Sequence, residues 1–105
     1  MLLSQRLRIK HKETISKDLY LYSGSKDQTV RKIDPNTMTE INTFGDHTDN
    51  VNSIHYGLDG YLYTGSSDGF VYKVNPNSMS AVNYFENVNK VNSVHYGLDN
   101  YLYIG

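Results

Sequence analysis

Residues 18–38, DLYLYSGSKDQTVRKIDPNTM, return as GYLYTGSSDGFVYKVNPNSM at residues 60–79, and NVNSIHYGLDGYLYTG (50–65) returns as KVNSVHYGLDNYLYIG (90–105). The offset is 41 from Tyr22 to Tyr63, Asp27 to Asp68 and Pro35 to Pro76, and 40 from His55 to His95 and Tyr63 to Tyr103. A period near 40 signals a repeat architecture in which each unit is one supersecondary element. Within the unit, VNSIHY (51–56), YLYTGS (61–66), FVYKVN (70–75) and SAVNYFE (80–86) are short runs rich in β-branched and aromatic residues. GLDG (57–60), SDG (67–69) and PNSM (76–79) divide them with turn chemistry. No stretch shows helical periodicity over a useful length.

Four antiparallel strands in about 40 residues are one blade of a β-propeller, so the fold class expected is all-β. Residues 18–46 supply strands two to four of a first blade, 47–87 a complete second blade, and 88–105 the first half of a third. RLRIKHKETI (6–15) stands where strand one of the first blade belongs and matches it poorly. About two and a half blades would leave apolar blade faces and strand edges open, so the chain is expected to be closed by copies of itself, through exchange of like strands, or to be a fragment of a longer propeller.

The chain has 105 residues, net charge −1, 38% hydrophobic residues and no cysteine. That excludes a disulfide framework, thiolate chemistry and a cysteine zinc site. No apolar run reaches the length of a membrane span, and MLLSQRLRIKHKE lacks the apolar stretch of a signal peptide, so no membrane association and a cytosolic location are expected. Residues 1–17 carry a net charge of +4 and the rest −5. The basic arm could meet an acidic partner or a neighbouring copy. Nucleic acid is disfavoured because the body offers no continuing basic surface.

SGSKDQTVRKIDPNTMTEINTF followed by GDHTDNVNSI resembles a WD-repeat sequence: the SGS of strand two, the hairpin Asp, TVR in strand three, and a His before the next first strand. The second unit also resembles quinoprotein-like propeller repeats, but nothing matches the calcium and cofactor residues of those enzymes. The WD resemblance implies a buried hydrogen-bonded set at His47, Thr64 and Asp68, with Val74 where the family has Trp and Ile33 in the first blade. It also implies a non-enzymatic interaction module. In the third unit NVNK (87–90) takes the place of DHTDN and lacks the His.

The loops SKDQ, GDHTDN, SSDG and NVNK differ between units while the strands match, and a propeller brings such loops to one face. Lys26, Asp27, Asp46, Asp49, Asn50, Ser67, Asn87, Asn89 and Lys90 are therefore the candidate partner-binding residues. The ten tyrosines read chiefly as cross-strand packing. A second reading is a ring of aromatic platforms for glycans, which requires tyrosines exposed beside Asn and Asp. His55 and His95 read as structural, and Met38 and Met79 as blade-edge packing. No nucleophile, base and orienting group recur at informative spacing, and no metal or cofactor is called for.

Overall fold

In a computed structural model, residues 19–105 are described, and they form nine strands. β1 (Leu21–Gly24), β2 (Val30–Asp34) and β3 (Thr39–Phe44) make a three-stranded antiparallel sheet. β4 (Val51–Tyr56), β5 (Leu62–Ser66), β6 (Phe70–Asn75) and β7 (Ser80–Glu86) make a four-stranded one, and β8 (Val94–Tyr96) and β9 (Leu102–Ile104) a two-stranded one. Within each sheet every strand pairs with the next in sequence, which is the up-and-down order of propeller blades. The basic arm and the RLRIKHKETI segment lie outside the described residues.

The turns explain the order. Asp34 and Asn75 accept the N–H of Asn36 and Asn77, the local side-chain bond that opens each Pro turn. Met38 and Met79 close these turns at positive φ (56° and 54°) and donate their N–H to the carbonyls of Asp34 and Asn75. Register slips by one residue beside each turn, at Lys32/Ile33 and at Lys73/Val74, as a bulge of this kind requires.

The core lies between sheets. Val30 and Phe44 of the first sheet meet Leu62, Val74 and Met79 of the second, with Val51 at the junction. Lys32 is buried in the same seam; its ammonium donates to the carbonyl of Pro76 at 2.7 Å and stands over the Tyr20 ring. A second cluster joins Tyr63 and Val71 to Val91 and Val94 of the third sheet. Aliphatic Val74 and Ile33 therefore fill the Trp position; Val74 is fully buried without needing an N–H partner.

Equivalent residues differ sharply in exposure. Leu62 is 0% and Met79 4% exposed, but Leu21 is 47% and Met38 67%. Phe44 is 2% exposed and Phe85 54%. Blade-edge packing thus holds for Met79 and fails for Met38, because the face of the first sheet that carries Met38 has no neighbouring sheet among the described residues.

The innermost strands of neighbouring sheets are joined by side chains. Ser53 Oγ accepts the N–H of Val94 at 3.0 Å, and His55 Nδ1 accepts that of Tyr96 at 2.6 Å. Asn52 Nδ2 donates to the carbonyl of Val91 at 2.9 Å. Strand two approaches the following sheet through a glycine: a Cβ on Gly65 would stand 2.6 Å from Val91 Cγ1 and 3.0 Å from Val94 Cγ1. Gly65→Ala is accordingly expected to cost about 1–3 kcal/mol by overpacking. Hydrogen exchange should show the loss concentrated at the Val94 and Tyr96 amides, and unchanged protection there would refute the account.

Candidate functional site

The β3–β4 loop drops His47 into the second sheet, where it is 2% exposed. Its Nδ1 lies 2.9 Å from Asp68 Oδ2 and its Nε2 2.7 Å from Thr64 Oγ1. The Asp68 carboxylate can only accept, so Nδ1 carries the hydrogen, and in the neutral ring Nε2 accepts from Thr64. Asp68 also accepts the N–H groups of Thr48 and Phe70. Burial opposes ionisation of Asp68, but these two N–H bonds and the His47 ring outweigh it and hold the carboxyl below its ordinary range. Phe44 and Tyr72 pack edge-on against the imidazole, at 5.9 and 4.8 Å between centroids.

A hydroxyl, an imidazole and a carboxylate in line is the order of a nucleophile, a base and an orienting acid. Here Thr64 has no exposed surface, and neither has Ser66 beside it. The set is sealed, and its hydrogen bonds fasten the 45–50 loop to the 66–69 hairpin. The structure brings His47, Thr64 and Asp68 together, as a means of shaping the loops at this end of the blade.

Those loops form one rim. The Ser67 N–H donates to the Asn50 carbonyl, that of Val51 to the Ser25 carbonyl, that of Val91 to the Ser66 carbonyl and that of Asn87 to the Gly69 carbonyl. SKDQ, GDHTDN, SSDG and NVNK thus lie side by side. Lys26, Asp46, Asp49, Asn89 and Lys90 are exposed, while Asn50, Ser67 and Asn87 are half-buried in the bonds between loops. Asp27 is exposed but engaged: Thr29 and then Arg31 bond its carboxylate and hold it well below the usual range. Arg31 also reaches Glu40.

Two arrangements escaped the sequence. The first is a tyrosine clamp. Tyr63 donates its hydroxyl to Asp59 and Tyr103 to Asp99, while each carboxylate also accepts the N–H two residues on. Burial, and then Asp59, push the Tyr63 hydroxyl far above its ordinary pKa. The recurring YGLDxYLY is the signal that could have disclosed it. The second is the stacking of His55 on His95, 4.8 Å apart and 14° from parallel. Parallel rings direct their nitrogen lone pairs side by side rather than to one point, so the pair is a packing contact, and no group of three metal-ligating side chains exists among the described residues.

Exposure of the tyrosines varies within a sheet, since Tyr56 and Tyr84 of the complete sheet are exposed. Tyr63 is buried in the complete sheet, whereas Tyr101 and Tyr103 of the two-stranded sheet are exposed. No helix among the described residues is long and apolar enough to cross a membrane.

The family described as WD domain, G-beta repeat matches residues 38–73. That span runs from the Met38 turn through β3 to β6, so the sequence repeat is staggered by one strand against the blade and ties one sheet to the next. Among solved structures, the WD40 β-propeller domain of Doa1 superposes with a TM-score of 0.79 at 19% identity, over 84% of this chain and 30% of that one. The β-propeller domain of Cps50 (Swd1) from Myceliophteria thermophila superposes with a TM-score of 0.67 at 22% identity, over 71% of this chain and 24% of that one. The chain spans less than a third of either solved propeller. No curated protein matches it in sequence. Of the two families that the sequence resembles, the WD repeat is the one matched: residues 38–73 are similar to a WD repeat, and the described strands have the blade architecture of the WD40 β-propellers.

Proposed function

We propose that this chain is a non-enzymatic protein-interaction module, a self-assembling set of propeller blades whose loop rim binds a partner protein. One observation carries the reading: a sealed hydrogen-bond set fastens the 45–50 loop to the 66–69 hairpin, and backbone hydrogen bonds join the two flanking loops to them in one exposed rim. Two of the rim's exposed acids, Asp46 and Asp49, flank the buried His47, so their placement is fixed by the set rather than left to a free loop. A rigid scaffold that positions polar loops is the usual geometry of recognition.

Asp46→Lys with Asp49→Lys tests it. Both side chains are exposed, so the fold should persist while capture of a partner from the source cells falls at least tenfold. The matched change at the opposite end, Asn77→Lys with Leu98→Lys, should leave capture intact. Equal loss from the two pairs would refute the rim.

A further inference from the structure

Three side chains of β4 hold the segment 91–96 of the third sheet. Asn52 donates to the Val91 carbonyl, Ser53 accepts the Val94 N–H and His55 accepts the Tyr96 N–H, in order along the two chains. Of the three, only His55 can change its charge near neutral pH. From its geometry we propose that His55 is a proton-operated latch: when Nδ1 takes up a proton from solvent, the Tyr96 end of the third sheet is released from the second.

Nδ1 of His55 lies 2.6 Å from the Tyr96 nitrogen. A ring nitrogen accepts only through its lone pair, so in this bond Nδ1 is bare and Nε2 carries the hydrogen. The site left for a further proton is then Nδ1 itself. Protonation turns it into a donor facing another donor, so the proton and the bond exclude each other. The bonds of Asn52 and Ser53 involve no such group and stay as they are.

The neighbours give a charged ring no compensation. On β8, His95 is stacked on His55, 4.8 Å between centroids, and a charge on either ring opposes a charge on the other. On β5, Tyr63 stands opposite His55, and its hydroxyl is given to Asp59. Lys73 of β6 stands opposite Tyr63 in turn, 3.9 Å from the same carboxylate. On β9, Tyr103 stands opposite His95 and is engaged by Asp99. On β1, Tyr22 packs on Tyr56, the residue after His55. Among the described residues, no carboxylate pairs with the imidazole of His55 or His95.

Above the ordinary imidazole range, about 6.5, the ring is neutral whether the latch is open or closed, and the bond counts in full. Below it a proton can reach Nδ1 only in the open form, so the closed form loses ground as pH falls. The opening is local. The Val91 N–H is held by the Ser66 carbonyl, and Val91 and Val94 pack with Tyr63 and Val71. The Tyr96 end has less: its ring stacks on Tyr63 at 5.6 Å, and β8 stops there. Acid therefore frees Tyr96 first, while the rim loops at the other end of the strands stay joined.

Hydrogen exchange of the wild-type chain at about pH 7.5 and about pH 5.5, corrected for exchange in an unfolded peptide at each pH, tests the latch. Protection of the Tyr96 amide should fall about tenfold, the size of one hydrogen bond, while that of the Val91 amide holds. His55→Asn supplies an acceptor that takes no proton and should abolish the fall. His95→Gln should keep it, because the proton that matters sits on His55. An unchanged Tyr96 amide in the wild type, an equal fall at Val91, a full fall in His55→Asn or none in His95→Gln would each overturn the latch. NMR titration of the wild-type chain gives a reading without substitution. The His55 ring and the Tyr96 amide should move with one midpoint, and separate midpoints would overturn the proposal.

Discussion

Leu62→Ala is expected to lower stability by about 3 kcal/mol, in the range found when a fully buried leucine is truncated in a core that cannot collapse around the gap. Leu62 has no exposed surface and sits between Val30 and Phe44 on one sheet and Val74 and Met79 on its own. Both walls of that seam are β-sheets held by backbone ladders, so neither can close in by shifting a single strand. Leu21→Ala, the equivalent change on the open face, should cost less than about 1 kcal/mol if the chain is studied at a dilution where it is monomeric. The contrast is the measurement: urea midpoints for the two variants at one protein concentration. Equal losses would mean that Leu21 is covered, and would locate a neighbour on the first sheet.

His47→Ala comes next in size, at about 3 kcal/mol, because it leaves Thr64 and the Asp68 carboxylate short of a partner within a sealed site. Its pH dependence has a definite sign. The Asp68 carboxyl is held below its ordinary value of 3.8 in the folded chain. Above that value both states are ionised, and the native hydrogen bonds count in full. Below it the unfolded chain takes up a proton first, so stability falls as pH drops toward the native value. Thermal melts between pH 7 and pH 3 should show this acid slope in the wild type and a shallower one in Asp68→Asn. An Asp68→Asn variant with the full slope would assign acid sensitivity to other carboxylates, Asp27 and Glu40 first among them, since both are also held low.

The strands and their order were legible because repetition supplies an internal control. A run such as FVYKVN is ambiguous alone, but beside TVRKID, at the same distance from a Pro turn, it can only be the third strand of a unit. The rim was legible for the same reason, since variation stands out against matched strands. What was not legible lies between units. Lys32 reads as a surface lysine, and its burial against the Pro76 carbonyl depends on which face of β2 meets the next sheet. The stacking of His55 on His95 depends on the short distance between inner strands, which spacing along the chain does not encode. Met38 and Met79 are alike in sequence and opposite in exposure, because exposure here belongs to the neighbour and not to the residue.

The hydrogen bonds from Ser53 and His55 to the Val94 and Tyr96 amides have a bearing on misassembly. An inner strand with bare amides along its axial edge would offer a template for any extended chain, the usual beginning of fibrous aggregation. Here those amides are occupied by short side chains that cannot themselves extend a ladder. β8 is thereby finished along that edge, where a further strand finds these two amides occupied. A repeat chain of this design can gain or lose units without exposing a sticky inner surface, so the Asn-Ser-x-His pattern works as a guard on growth as well as a joint between blades.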